Sequence, residues 1–432
     1  MKRNRRSPLS LSLAIVALYS SLLTACGGGS GPDATDPSPT DDDGLKLGAL
    51  LPITGDLSSI GQNMPEAVNL AVSEINACGG INDKPVTLVT EDTQTDPTAG
   101  SAAMTKLAEV DKVAGVVGAF ASSVSSSAVD IAVRNRVMLV SPGSTSPVFT
   151  ERAQNGEFEG FWARTAPPDT YQAKALAALA KKKGFTIAST AAINNDYGVG
   201  FEQRFISAFE KLGGTVVNKD KPTRYDPKTA TLDSEAAAAF SGDPQAIAAI
   251  LYAETGSLFL QAAYKQGLSE GVTVLLTDGV YSEDFVKETG NNSEGQSIIA
   301  GALGTVPAAD GQALSAFTDK WKQATNNKPI TAYVPHSWDA AVLQMLAAEA
   351  ADTNTGEGIQ SKLREIANAP GTEVTDPCEA IALLKQGEDI NYQGASGNVD
   401  IDENGDVIGN YDVWTVKSDG SLEIIDKVSP TE

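Results

Sequence analysis

The sequence predicts an α/β protein built as two doubly wound lobes, and three observations carry that prediction. The chain has 432 residues, nearly three times a typical domain of about 150. From residue 45 onward, short apolar runs of strand length alternate with segments of helical period, the signature of parallel strands joined by crossover helices on both faces. That rhythm is interrupted by the turn-like Ala166-Pro167-Pro168 and then begins again.

In the first series, LKLGALL (45–51) reads as a strand and NMPEAVNLAVSEINA (63–77) as a helix with apolar residues at 64, 67, 68, 71, 72 and 75. A strand PVTLVTED (85–92), a helix SAAMTKLAEV (101–110) and a strand VAGVVGAF (113–120) follow. The helix SSVSSSAVDIAVRNR (122–136) and the strand VMLVS (137–141) complete that series. The second opens with the helix TYQAKALAALAKKKG (170–184), the strand FTIASTAAI (185–193) and a helix over 198–214 that ends in glycine. TVVNKD (215–220), AIAAILY (246–252) and VTVLLTD (272–278) read as strands, with a helix over 256–267. The tail changes period. NVDIDENGDVIGNYDVWTVKSDGSLEIID alternates two by two and carries Asn404-Gly405 and Asp419-Gly420, both hairpin signals, so an antiparallel meander is expected.

The N-terminus is of another kind. Lys2, Arg3, Arg5 and Arg6 precede an apolar run from Leu9 to Ala25, the arrangement of an export signal, and the run is shorter than a membrane span of roughly 20 residues. Leu23-Thr24-Ala25-Cys26 resembles the bacterial lipobox, so residues 1–25 are expected to be removed and Cys26 to carry lipid. Residues 26–44, GGGSGPDATDPSPTDDDG after the cysteine, hold no large apolar side chain and are expected to form a disordered acidic tether. With Cys26 lipidated, Cys78 and Cys378 remain as an even pair in an exported protein, and a disulfide between them is expected.

Charge and motifs exclude several functions. The formal charge of −23 becomes −27 without the leader's four basic residues, which disfavours nucleic acid and anionic lipid as partners. A single histidine and three dispersed cysteines leave a transition metal without ligands, and no cofactor is expected. Gly198-Val199-Gly200 is followed by Gln203, where a dinucleotide fingerprint needs glycine. No G-x-S-x-G elbow or G-x-x-x-x-G-K-[ST] loop occurs, and His336 reads as a packed helix-start residue. Asp400, Asp402, Asn404 and Gly405 begin an EF-hand pattern, but the twelfth position is Tyr411 instead of glutamate. No enzyme activity is expected.

Ligands of doubly wound sheets bind beyond the carboxyl ends of the strands. There the sequence offers Ser122 before a helix, Gly143 and Thr145 in VSPGSTSP (140–147), Tyr197 in NNDYG and Asp278 in TDG. Each has an ordinary use as a cap or turn residue. Together they supply neutral hydroxyls from one lobe and an aromatic plus one carboxylate from the other, a set suited to a small zwitterion.

At these residues the chain resembles the leucine/isoleucine/valine-type periplasmic binding proteins, solute receptors of ABC transporters with a type I two-lobed fold. The likeness runs over nearly all of 45–425 and includes GALLPITGDLSSIGQNMPEAVNLAVSEINACGGINDKPVTLVTED, VVGAFASSVSSSAVDIA, VMLVSPGSTSP, INNDYGVGF and YQGASGNVDIDENGD. The resemblance implies that Ser122 and Thr145 bind the ligand carboxylate and that Gly143, with Thr145, serves the ammonium. It implies that Tyr197 closes over the ligand from the second lobe and that Asp278 pairs with the α-amino group. Tyr252 becomes a further aromatic contact, and Ile60 lies where those receptors often carry an aromatic against the ligand side chain. The departures at Ile60 and around Tyr252 (LYAETGS) point away from leucine itself rather than from the amino-acid class.

Three hinge crossings are implied, near Arg164–Pro168, Gly301–Pro307 and Asp402–Gly405. The first lobe is then 45–165 plus 305–402 and the second 166–304 plus 403–432, which puts Cys78 and Cys378 in one lobe. The implied function is that of a monomeric, lipid-anchored extracytoplasmic receptor that closes on an amino acid and delivers it to an ABC permease. The alternative is a sensing domain of the same fold for an amide, urea or another small polar solute.

Overall fold

The computed structural model describes Gly44–Ser429. The leader 1–25, the lipobox with Cys26 and all of the 26–44 tether but Gly44 lie outside the described residues. The first sheet is built from β1 (Lys46–Leu51), β2 (Thr87–Asp92), β3 (Gly115–Gly118), β4 (Met138–Ser141) and β5 (Trp162–Arg164). Its order is β2-β1-β3-β4-β5 and every pair is parallel. Gly48 lies opposite Val116 and faces Leu107, while the adjacent Gly115 faces Gln344 and Ile359. Because neighbouring strand positions point to opposite faces, helices cover both sides, which is why β1, β3 and β4 are apolar almost throughout.

The chain then builds β6 (Ile187–Ile193), β7 (Thr215–Val216), β8 (Thr223–Tyr225), β9 (Ala246–Ile250), β10 (Thr273–Leu276) and β11 (Leu303–Pro307). After a two-stranded pair, β12 (Thr372–Val374) and β13 (Ile390–Tyr392), it returns as β14 (Tyr411–Val416) and β15 (Leu422–Val428). The second sheet runs β15-β14-β11-β10-β9-β6-β7, with β8 also on β6. Its pairs are parallel except β11–β14 and β14–β15. The fold is that of a type I periplasmic binding protein, two α/β lobes each centred on a largely parallel sheet.

Several elements differ from the sequence reading. TVVNKD supplies only the two-residue β7. The tail yields one hairpin, β14–β15, across Asp419-Gly420. Asn404-Gly405 makes a turn but no hairpin, because Asp402 Oδ1 accepts the Asn404 and Asp406 amides at 2.8 Å each and the strand begins only at Tyr411. The helix Val334–Ala350 has no sequence-stripe to betray it, since every residue from Val334 to Ala348 is buried. A helix that is apolar all round carries no amphipathic period.

Cys78, just past the helix Met64–Ala77, is bonded to Cys378 in the first turn of the helix Pro377–Lys385, with Cα atoms 5.5 Å apart and 300 positions between them. Both helices pack in the first-sheet lobe, so the bond ties no lobe to the other. Alkylation of the unreduced exported protein should therefore label neither residue, and Cys78→Ser/Cys378→Ser should lose about 2–4 kcal/mol in denaturant unfolding. Two free thiols in the unreduced protein would overturn the bond.

Candidate functional site

The loop after β4 is held from all sides. The Ser141 hydroxyl donates to the Ala119 carbonyl at 2.5 Å and accepts the Gly143 and Ser144 amides at 3.2 and 2.8 Å. Ser144 Oγ lies 3.0 Å from both the Ala119 and Phe120 carbonyls and 2.8 Å from Ser125 Oγ. Arg164 Nη1 donates to the Ser144 and Ser146 carbonyls at 2.9 and 3.0 Å, and the Asp169 amide to the Thr145 carbonyl at 2.8 Å. Within this bonded loop the Thr145 hydroxyl is buried with no partner. At Gly143 an added Cβ would lie 2.1 Å from the Phe120 ring, so only glycine allows that close approach.

Ser122 is the first residue of the helix Ser122–Arg134 and does not cap it; the preceding Ala121 holds the N-cap position. The Ser122 hydroxyl instead accepts the Ser146 amide at 3.3 Å, and Ser146 Oγ reaches the second lobe at the Asp196 carbonyl, 2.8 Å away. Ser141, Ser144 and Ser146, ordinary turn residues by sequence, are thus what gives the loop its shape.

From the second sheet, Tyr197 rises in the first turn of the helix Asp196–Lys211, which Asn195 caps by accepting the Gly198 amide at 2.9 Å. Its hydroxyl lies 2.7 Å from Thr277 Oγ1 and 3.0 Å from Asp278 Oδ1, and its ring stacks on Tyr252 with centroids 5.5 Å apart. Tyr333 donates to Asp278 Oδ2 at 2.6 Å. Tyr333 holds this position with a left-handed φ of 66°, an uncommon backbone for a bulky residue and one that clusters at ligand sites.

The strongest electrostatic feature is absent from the sequence reading. Asp169, the first residue of the helix Asp169–Lys182, is fully buried, and neither carboxylate oxygen has a hydrogen-bond partner. Burial, and then the charge of nearby Asp278, push its pKa far up; the Thr145 hydroxyl, facing it beyond hydrogen-bond reach, and Arg164 oppose this only in part. Burial also raises Asp278, against the stabilising hydroxyls of Tyr333 and Tyr197 and the Gln172 side chain. Two carboxylates in one dry region disfavour their own ionisation unless a cation joins them.

Ser122, Gly143, Tyr197, Tyr252 and Asp278 line one cavity between the sheets. Leu57 and Phe120 add apolar wall; Thr145 and Asp169 lie behind it among the buried residues. Ile60 is buried one helical turn from Leu57 but is not part of the lining. The remaining space is about 10 Å³, room for one water molecule, so admitting anything larger requires the walls to separate. His336, three residues from Tyr333, is buried and its imidazole is pushed down to about 3 by burial; it is a neutral packed residue. Among the described residues no group of three or more His, Cys, Asp or Glu could hold a metal ion, and none of the helices is long and apolar enough to cross a membrane.

The sequence reading gives no role to Asp169, which falls one residue before the helix read over 170–184, or to Leu57, and takes Phe120 only as the end of the strand over 113–120. The one local hint is Pro167-Pro168, which stands directly before Asp169 at the start of its helix. Residues 63–419 match the family described as the receptor family ligand binding region. The chain is 27% identical over 371 residues to the chemotactic signal transduction system substrate-binding protein BasB of Halobacterium salinarum, covering 83% of each. It superposes on the leucine binding protein LivK of Thermotoga maritima with TM-score 0.74 and 26% identity, covering 90% of this chain and 99% of that one. The branched-chain amino acid transporter substrate binding protein LivJ of Streptococcus pneumoniae, solved with isoleucine, shares the fold at TM-score 0.72 and 20% identity, covering 90% and 100%.

A carboxyl whose folded pKa is raised above its unfolded value favours its neutral form in the fold, so its effect on stability worsens as pH rises from about 4 through the raised value. Asp169→Asn should therefore raise the Tm of the ligand-free protein at pH 7, with about 2–4 °C for each kcal/mol relieved, and the gain should vanish at pH 4. An unchanged or lower Tm at pH 7 would contradict an unpaired buried carboxylate.

Proposed function

Because this chain belongs to the receptor family ligand binding region, we propose that it is an extracytoplasmic solute-binding protein that captures a small amino acid between its two lobes. The observation that carries this reading is the placement of two buried carboxylates, Asp169 and Asp278, beside the unpartnered Thr145 hydroxyl and the Ser122–Ser146 loop. An α-amino acid answers both halves of that chemistry. Its ammonium relieves the carboxylate pair, and its carboxylate takes the hydroxyls and the positive end of the helix that starts at Ser122. Leu57, Phe120 and Tyr252 then meet an apolar side chain, which suits the ligand class of the neighbours named for leucine and solved with isoleucine.

Ligand enters with the lobes apart, and closure brings Tyr197 and Asp278 onto it while expelling water. The closed state gains only what the ligand contributes differentially between the two forms. In this proposal Cys26 carries the lipid that keeps the receptor at the membrane, and the loaded form docks on an ABC permease. The likeness to BasB favours a second reading in which the closed form reports the solute to a chemotaxis transducer; deletion of the receptor would then abolish the tactic response rather than uptake.

A thermal-shift screen of amino acids, amides and aromatic carboxylates identifies the ligand, since 100 times Kd adds about 2.7 kcal/mol of stability. By calorimetry on the hit, Asp278→Ala should weaken binding at least about tenfold, the equivalent of 1.4 kcal/mol. Binding as tight as in the parent would remove Asp278 from the ammonium contact.

A further inference from the structure

The helix Ala253–Lys265 starts at the cleft with Tyr252 at its N-cap position, and that side chain makes no cap hydrogen bond. The missing acceptor comes from the other lobe. Asp56, in the loop after β1, accepts the Thr255 amide on Oδ1 at 2.9 Å and the Thr255 hydroxyl on Oδ2 at 2.7 Å. Thr255 is the third residue of the helix, the position whose amide an N-cap side chain normally satisfies. A carboxylate there also faces the positive end of the helix.

We propose that Asp56 is the closure latch of this receptor, a positioning residue that caps a second-lobe helix only when the lobes meet and so sets ligand affinity without touching ligand. The inference rests on the binding reading above. Its geometry is specific on both sides. Asp56 adjoins Leu57, whose side chain lines the cavity and whose amide is held by Thr95 Oγ1 at 3.2 Å. The same loop is fastened at the Ile53 and Thr54 amides by Asp92 Oδ1, at 3.0 and 3.1 Å. In the second lobe, Thr255 Oγ1 gives its proton to Asp56, so the Tyr225 hydroxyl 3.2 Å away donates to Thr255, and Tyr225 in turn accepts the Tyr252 amide at 3.4 Å. A continuous chain of hydrogen bonds therefore joins the Asp56 carboxylate to the backbone of Tyr252, itself a cavity wall.

Tyr333–Asp278 also joins the lobes, but inside the cavity, and Ser146 meets the Asp196 carbonyl through a neutral hydroxyl; the remaining contacts are weaker candidates. Arg204–Glu151 and Lys228–Asp96 join exposed side chains at 2.6 and 3.8 Å, and pairs of that kind contribute little. Ser59 and Ser282 meet through neutral hydroxyls at 3.1 Å. Away from the cavity and from the Arg164–Asp406 pair, Asp56 makes the half-buried, charge-assisted contact between the lobes.

The test compares the parent with Asp56→Ala and Asp56→Asn, asparagine being an equally good helix cap. Stopped-flow binding of L-leucine, or of the screen's hit, should show Asp56→Ala dissociating about tenfold faster with an unchanged association rate, and Asp56→Asn recovering most of the loss. X-ray scattering without ligand should give Asp56→Ala a larger radius of gyration than the parent, with a fall in ligand-free Tm smaller than the affinity loss. This scattering arm needs no knowledge of the ligand, so a parent that binds none of the screened solutes sinks the binding reading while the latch is still read from scattering. Equal dissociation rates and equal scattering for Asp56→Ala and parent would overturn the latch. So would a fall in ligand-free Tm matching the affinity loss, which would mark Asp56 as a structural residue of its own lobe.

Discussion

Arg164 is the interaction on which the rest of the site hangs. Its guanidinium is fully buried where the chain leaves β5, and its donors are taken by three separate segments. Nη1 holds the carbonyls on either side of Thr145, Nε meets Asp406 Oδ1 at 2.7 Å, and Nη2 donates at 2.8 Å to Thr150, which passes a 2.6 Å hydrogen bond on to Asp406. A buried charge is tolerated only when paired and fully hydrogen-bonded. Meeting that requirement forces the loop after β4 and the Asp402–Asp406 turn into one register. Burying one arginine at the end of β5, together with the Ser141 and Ser144 hydrogen bonds, thus fixes the loop's shape.

With the loop held, the electrostatics of the cleft follow. The carboxylates of Asp169 and Asp278 come from opposite ends of the second-lobe sequence, and hydroxyls from Tyr197 and Tyr333 satisfy Asp278 while Asp169 stays unpartnered. An arrangement that is costly alone and relieved by a cation trades stability for affinity in the proposed function. In the proposed function closure draws on two independent sources, the relief of those carboxylates by a bound cation and the capping of the Ala253–Lys265 helix by Asp56.

The rhythm of strands and helices was legible because a buried parallel strand is a short apolar run and an amphipathic helix shows its period. It left Leu314–Thr325 and Gly356–Ala367 unassigned although both carry a buried apolar face, and it failed where that contrast disappears. Val334–Ala350 is buried on all sides, and Asn404-Gly405 met its hairpin signal with a competing use, the Asp402-capped hinge turn. Ser122, Gly143, Tyr197 and Asp278 are picked out by their place after strand ends and Tyr252 by the family resemblance, and all five line one cavity. Ile60 points instead into the core beside Leu57, a side-chain direction within a four-residue helix that spacing alone does not determine.

The amino-acid sequence by itself determined the two-lobed α/β architecture, the even cysteine pair and the strand-end residues, since each depends on local period, composition or order along the chain. Only the tertiary structure decided which carboxylates share a dry cleft, which serine shapes the loop and which aspartate caps a helix of the other lobe. Asp56 and Thr255 are 199 positions apart and Asp169 and Asp278 are 109 apart. Burial, pKa and capping across such distances come from packing two sheets face to face, and no window of sequence contains both partners.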